Sequence, residues 1–268
     1  QRLSRGRKAG LTFAPEAGSQ RLRDVINKNL TEEDLLHSCR IAFEGGWSSV
    51  KLYFMLGLPT ETDEDIVEIA RIADHVVHTW RESAPDKRRG VSVTVSTSWF
   101  VPKPHTAFQW EAQITKEEYE RRVQLLRDNI KAKAVSYKWH DSDTSFLEAV
   151  LSRGDRRIGR VLEAAWRRGA KMDAWQDYYN LDLWMAAFED CGLDPAFYAN
   201  RVRPGGEILP WSMISSGVSQ KFLWRERQRA YEGITTPDCR TQCTGCGANC
   251  LIGEIGRASC RERVLLAV

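Results

Sequence analysis

Apolar positions recur along this chain in two periods, and the alternation between them lays out its elements. Val50–Leu56 is β-branched, aromatic and aliphatic apart from Lys51, and Gly57 breaks the run, which predicts a buried strand. Valines 91, 93 and 95 alternate with Ser92, Thr94 and Ser96 and predict another, Val91–Ser96. Gly10–Ala14 is a shorter strand candidate, and Ala134–Trp139 is a short β-like stretch. Helical spacing fills the intervals. It covers Arg21–Asn27, the run holding Leu35, Leu36, Cys39, Ala42 and Phe43, then Asp63–Arg81, and Lys116 to about Lys133 with Tyr119, Val123, Leu126 and Ile130 as its stripe.

Capping residues sharpen these boundaries. Thr31 precedes the second helix, and TEED over Thr31–Asp34 forms most of a capping box; Gly45-Gly46 ends it. After Gly57, Pro59 fixes one φ, and Thr60 and Thr62 offer caps. Glu61, Asp63, Glu64 and Asp65 put negative charge on the first helical turn, where unpaired N–H groups favour it. A charged turn, Ser83–Gly90, leads into the third strand.

The order β, α, β, α, β predicts a mostly parallel α/β sheet with right-handed crossovers, whose ligand-binding face lies at the carboxyl ends of the strands. Three strands do not close a barrel, and a sheet cut there would present an unpaired edge. The chain is therefore either a small open sheet or the second half of a larger one, and the unpaired edge points to a missing amino end. Past Trp139 the pattern is helical over Ser145–Leu151, Ile158–Arg168 and Leu183–Asp190, with Asp141 or Ser145 as the first cap. Trp175, Tyr178, Tyr179, Trp184 and Phe188 make this region aromatic. Arginines 153, 156, 157, 160, 167 and 168 form its densest basic run, suited to phosphates or to a salt-bridged solvent face.

Composition changes this picture little. With 268 residues, 42% hydrophobic and 28% charged, the chain can bury a real core, and 39 Lys+Arg against 36 Asp+Glu leave no overall electrostatic footprint for nucleic acid. No stretch of 18 apolar residues occurs, and QRLSRGRKAGLTF has neither an initiating Met nor a signal-peptide core. A soluble, cytoplasmic protein without a membrane partner is the expectation, and one whose beginning is missing. Of seven cysteines, Cys39 and Cys191 stand alone in helical segments and four crowd between Cys239 and Cys250, which favours a metal site over a disulfide framework.

Two stretches carry candidate chemistry. Thr97–Trp110 holds two prolines, 102 and 104, that predict an extended backbone bearing His105 and Thr106 among Trp99, Phe100, Phe108 and Trp110. His105 is a weak catalytic candidate, as proton donor or substrate contact. Cys239, Cys243, Cys246 and Cys250, spaced C-x3-C-x2-C-x3-C with Gly245 and Gly247 between them, can converge because glycine permits tight turns. Four thiolates suit zinc or an iron–sulfur cluster, and the spacing does not separate the two.

The ordered set APEAGSQRLRDVINKNLTEEDLL, KLYFMLGLPTETDED, FVPKPHTAFQW, SRGDRRIGRVLEAAWRRGA and the terminal cysteine cluster resembles the carboxyl-terminal part of an uncharacterised radical S-adenosylmethionine (radical SAM) family, of the type often fused to a cobalamin-binding-like domain. The likeness covers nearly all of Leu11–Ile252. It implies that the visible strands are the fourth to sixth of a partial six-stranded (β/α) TIM-like barrel. Residues 1–112 would then be barrel, 113–232 a helical region, 233–253 a metal-binding tail and 254–268 an artefactual tail.

The resemblance also implies the activity: reductive cleavage of S-adenosylmethionine to a 5′-deoxyadenosyl radical at a [4Fe–4S] cluster, on a substrate that the sequence does not identify. Flavodoxin or ferredoxin is the expected electron donor. The initiating cluster needs three cysteines in a loop after the first strand, and nothing upstream of Cys39 supplies them. Cys239-x3-Cys243-x2-Cys246 has that spacing but follows the strands and the helical region, so the fragment is expected to be inactive alone. Glu16, Ser19, Gly57, Leu58 and Pro59 are the implied cofactor-enclosing residues, with Glu16 or Ser19 near polar groups and Leu56–Pro59 near adenine. The tail cysteines become an accessory [4Fe–4S] site, with zinc as the alternative.

EIGRASCRERV, Glu254–Val264, looks like translated sequencing adapter and is set aside from fold and function. The competing functional reading is an RNA-interaction module with a structural zinc or iron–sulfur site, using the basic helices around Arg153–Arg168 with Trp175 and Tyr178 as stacking partners. Exposure of those arginines and rings favours it; their burial disfavours it.

Overall fold

Residues 10–88 and 90–248 are described by the computed structural model, so Glu254–Val264 and Cys250 lie outside the described residues. The chain divides into two compact units: one comprises the chain up to Phe100 with Glu117–His140 and Arg229–Thr235, the other Val101–Lys116, Asp141–Gln228 and the chain from Thr236 on.

The first unit is a four-stranded, wholly parallel sheet in the order β1-β2-β3-β4: β1 (Leu11–Glu16), β2 (Ser49–Leu56), β3 (Ser92–Trp99) and β4 (Val135–Trp139). Helices α1 (Gln20–Val25), α2 (Glu32–Glu44), α3 (Asp63–Ser83) and α4 (Lys116–Asn129) lie between successive strands in the chain, as parallel pairing requires. The α/β class expected from the apolar pattern is the class observed, and the β-like stretch near residue 135 is a true fourth strand. The sheet therefore runs past residue 112. β3 continues to Trp99, three residues beyond the expected end at Ser96, because Thr97 and Trp99 are buried as well. β1 runs on to Glu16, two residues past the Gly10–Ala14 candidate. The register slips between Phe13 and Glu16, at Pro15, which has no N–H to give the ladder.

Burial follows the periods. Val50, Leu52, Phe54 and Leu56 of β2 and Val93 and Val95 of β3 are buried, as are Ile66, Ile69, Ala73, Val76, Val77 and Trp80 along α3. Each fully buried Val, Leu or Ile contributes roughly 1.5–3 kcal/mol. In α4 the stripe Tyr119, Val123 and Leu126 is buried, while Ile130 lies just past the helix end and is half-buried. The capping box at α2 forms as expected: the Asp34 N–H donates to the Thr31 hydroxyl oxygen at 3.1 Å, and the Thr31 N–H to the Asp34 carboxylate at 3.0 Å.

The second unit holds α5 (Ser142–Ser152), α6 (Ile158–Arg167), α7 (Leu181–Asp190), the short α8 (Pro195–Ala199) and most of α9 (Gln220–Tyr231). Leu147, Val150, Ile158, Val161, Trp184, Phe188 and Tyr198 form one apolar cluster, and Trp110, Leu209, Trp211, Phe222 and Leu223 another. The apolar pattern left α8 and α9 unassigned, although Asp194-Pro195 is a cap followed by a first-turn proline. In α9 only Phe222, Leu223, Glu226 and Ala230 are buried, among many charges.

The stretch from Pro102 to Trp110 is not extended. Residues 104–110 are turns, and His105 adopts a left-handed φ of 59°. The cause is a buried amide: Gln109 Oε1 accepts from the His105 N–H at 3.1 Å and from Trp211 Nε1 at 2.6 Å, while Gln109 Nε2 donates to Gln220 at 2.8 Å. Among the described residues no helix is long and apolar enough to cross a membrane.

Candidate functional site

Strand direction assembles the candidate site in the first unit. Because β1 and β2 are parallel, Glu16 at the end of β1 and Gly57, Leu58 and Pro59 after β2 share one edge of the sheet, the carboxyl edge. Glu16 is buried with a left-handed φ of 70°, a conformation a non-glycine residue holds only where its surroundings impose it. Its carboxylate has Lys28 Nζ at 3.6 Å. Burial pushes its pKa up to about 7, against the weaker downward pull of Lys28. A carboxyl that titrates near neutrality can hold or release a proton at that edge.

The loop after β2 is built around a second buried acid. Gly57 takes φ 90°, and its N–H donates to Glu61 Oε2 at 2.7 Å; Arg122 Nη1 of α4 donates to the same oxygen at 2.5 Å. Burial raises the Glu61 carboxyl to about 7, with Gly57 and Arg122 opposing. Glu61 is not part of the first helical turn, as its place in the acidic run suggested. Thr62 is the N-cap, Thr60 sits at φ 67°, and the Glu61 side chain turns back to the strand end. Leu58 is buried, and its carbonyl accepts from the Glu61 N–H at 3.1 Å; Pro59 is half-buried.

Ser19 has both hydroxyl roles filled. It accepts from the Leu22 N–H at 3.0 Å as the N-cap of α1, and it donates to Asp65. Asp65 also receives Arg21 and, at 2.8 Å, the Thr62 N–H. Burial raises the Asp65 carboxyl, but the hydrogen bonds from Ser19, Thr62 and Arg21 outweigh it and hold the pKa below the usual range. Gly18 is obligatory here, since a Cβ would lie 2.2 Å from the Asp65 carbonyl oxygen and 2.7 Å from the Ile69 nitrogen. Further along the edge the Thr97 and Tyr137 hydroxyls meet at 2.8 Å, and Trp99 stacks on Tyr119 with centroids 4.7 Å apart.

The candidates therefore divide. Glu16, Gly57, Leu58 and Pro59 lie on one edge, but only Glu16 carries a titrating side chain there, and Ser19 is engaged in capping. Sequence reasoning missed Glu61 and Arg122 as a buried pair. No local signal marks one arginine of Arg121-Arg122 as turned inward. His105 belongs to the second unit; burial lowers its pKa, and its imidazole has no hydrogen-bond partner among the described residues.

In the tail, the Cys246 Sγ accepts the Ala248 N–H at 3.5 Å, and Gly245 and Gly247 both adopt left-handed φ, 71° and 97°. The Cys246 side chain also packs against the apolar cluster of Trp110, Leu209, Trp211, Phe222 and Leu223. Cys239 is half-buried and Cys243 exposed, and among the described residues no three Cys, His, Asp or Glu side chains already converge. Cys39 is different: burial pushes its thiol up to about 12, so it is an inert core residue.

A protein of Methanocaldococcus jannaschii that carries the description uncharacterised is 31% identical to this chain over 183 residues, 68% of the chain. The chain spans 38% of that relative's length. No protein-family model matches the chain, and no solved structure matches it.

Proposed function

We propose that the chain is part of a radical SAM enzyme and that its parallel sheet is the second half of a partial (β/α) barrel. The observation that carries this reading is the carboxyl edge of β1 and β2, where a buried acid titrating near 7 and a left-handed glycine loop lie together. That is the edge at which parallel α/β folds bind ligands. The donor set suits the cofactor in part: the Glu16 carboxyl can take a cationic amine, and Leu58 offers an apolar wall to a ring. Ser19 and the Gly57 N–H already have partners in the protein, so Glu16 is the residue given the polar contact. When bound, S-adenosylmethionine with its cluster supplies the reductive cleavage to a 5′-deoxyadenosyl radical, chemistry that belongs to the cofactor. This chain's own part is to hold it, exclude water and manage the proton on Glu16. The reading assigns the three-cysteine loop to a portion of the whole protein outside this sequence.

Two measurements on the full-length protein, purified anaerobically, test the reading. Mass spectrometry with a reductant should detect 5′-deoxyadenosine, and its absence across reductants rejects the activity. Calorimetry should show Glu16→Ala binding S-adenosylmethionine about tenfold more weakly, and unchanged affinity rejects the contact.

The tail supports an accessory metal site in the same proposal, with Cys239, Cys243, Cys246 and Cys250 as ligands. The left-handed turns at Gly245 and Gly247, on either side of Cys246, support it, because they let the chain double back within the cysteine cluster. Four protein thiolates would leave no open iron, so the site would be structural or electron-transferring, as an accessory [4Fe–4S] cluster or as zinc.

A further inference from the structure

From Met172 to Asn200 the chain carries six carboxylates, at positions 173, 177, 182, 189, 190 and 194, and no Lys, Arg or His. Helix α7 lies within this stretch and presents two different faces. Trp184, Ala187 and Phe188 join the second unit's core cluster, so the helix is already docked. Asp182, Met185, Ala186 and Glu189 stand at i, i+3, i+4 and i+7 and share a stripe on the other side. Met185 is 37% exposed and lies outside the core cluster. An unbranched, polarizable side chain left open in this way suits a contact with another surface.

That stripe lines an open groove of about 440 Å³. Met185, Ala186, Phe188, Leu193 and Pro195 make its apolar surface, and Asp182 and Glu189 are the charged groups among the described residues that line it. Both acids are exposed. Neither has a cationic partner among the described residues, whereas the adjacent Asp190 is paired with Arg168 at 2.7 Å. The groove therefore combines an apolar surface with two uncompensated negative charges. Its complement is an apolar surface flanked by two positive ones.

We propose that this groove docks a basic amphipathic helix of a partner protein, with apolar side chains on Met185 and Leu193 and a Lys or Arg against each of Asp182 and Glu189. The spacing of the two acids selects a helix. Seven helical residues set them about 10 Å apart along α7, and a second helix lying along the groove matches that interval with cations at i and i+7 and apolar residues at i+3 and i+4. A strand does not match it, since residues on one face of a strand are about 7 or about 13 Å apart. Charge disfavours nucleic acid. Trp175 and Tyr178 are exposed in the same stretch, but they stand among Asp173 and Asp177, which repel phosphate, and Arg153 of the basic run is fully buried. An anionic membrane is disfavoured on the same ground. The inference goes beyond the cofactor reading: absence of 5′-deoxyadenosine would leave it standing.

The full chain is titrated with a fluorescein-labelled amphipathic helical peptide of Leu, Ala and Lys, with its Glu-for-Lys counterpart, and with a peptide of the same composition whose order breaks the apolar face. The Lys peptide should bind, and its affinity should fall about fivefold between 50 and 500 mM salt as two exposed ion pairs are screened. Asp182→Asn with Glu189→Gln should weaken it about fivefold and flatten the salt dependence, with the far-ultraviolet circular dichroism unchanged because both side chains are exposed. Met185→Glu should weaken it about tenfold by placing a charge on the apolar surface, whereas Met185→Leu should retain the affinity. No binding of the Lys peptide, equal binding of the Glu or reordered peptide, or unchanged affinity in the Asp182→Asn, Glu189→Gln variant would each overturn the proposal. Self-association of the chain in sedimentation that this variant abolishes would overturn it too, by giving the groove to a second copy.

Discussion

Glu16 and Glu61 are carboxyls placed where carboxylates are disfavoured, and each shows which contact decides the outcome. Glu61 has a backbone N–H and a guanidinium on one oxygen, yet burial still dominates; Glu16 has only an ammonium at 3.6 Å. The folded state therefore holds the Glu16 proton more tightly than the unfolded chain does. Its folded pKa is raised from 4.5 to about 7, so its contribution is fully present below pH 4.5 and is lost as the pH rises through 7. The loss is on the order of 3 kcal/mol. Glu16→Gln should flatten that part of the pH–stability profile in urea titrations run between pH 4 and 8. A profile unchanged by the substitution would mean that Glu16 ionises freely.

At the scale of elements, the β1–α1 connection is fixed by close approach rather than by sequence propensity. Gly18 lies against the first turn of α3, with Ser19 and Arg21 both bound to Asp65 in that turn. A methyl group at Gly18 would meet backbone atoms, which cannot rotate away. Gly18→Ala should therefore destabilise the protein by roughly 1–3 kcal/mol, read as a lower denaturation midpoint with an unchanged slope. Wild-type stability would show that the loop can move off α3. Thr62, Asp65 and Gly18 together explain how a short connection is held where Glu16 must adopt its left-handed conformation.

For the whole molecule, the chain divides into two units, with the buried strand-edge acid Glu16 in one and Cys239, Cys243 and Cys246 in the other. The tail makes its own prediction. In the full-length protein, Cys243→Ala should remove the metal of one site, four irons or one zinc, and leave any other cluster intact. Anaerobic metal analysis with Mössbauer spectra of both proteins measures it. Equal metal content in the two would overturn the site, and zinc in place of iron would fix its identity.

The parallel α/β class, the capping box at Thr31 and the buried stripes of α3 and α4 were legible from the sequence, because period and caps are local properties of the chain. The carboxyl-edge position of Gly57, Leu58 and Pro59 was legible for the same reason, since a buried apolar run ending in glycine marks where a strand stops. Tertiary structure alone decided the rest. Of two adjacent arginines, Arg122 turns inward to Glu61 while Arg121 faces Asp63 and Glu118 near the surface. Of the arginines from 153 to 168, only Arg153 is buried, because the carbonyls of Pro102, Gln109, Glu111 and Tyr198, brought together from distant segments, receive its guanidinium. The proline-rich stretch bends because the buried Gln109 amide binds partners as far along the chain as Trp211 and Gln220. Local sequence records a residue's own preference, but whether a polar group can be buried depends on partners that only the folded chain brings within hydrogen-bonding distance.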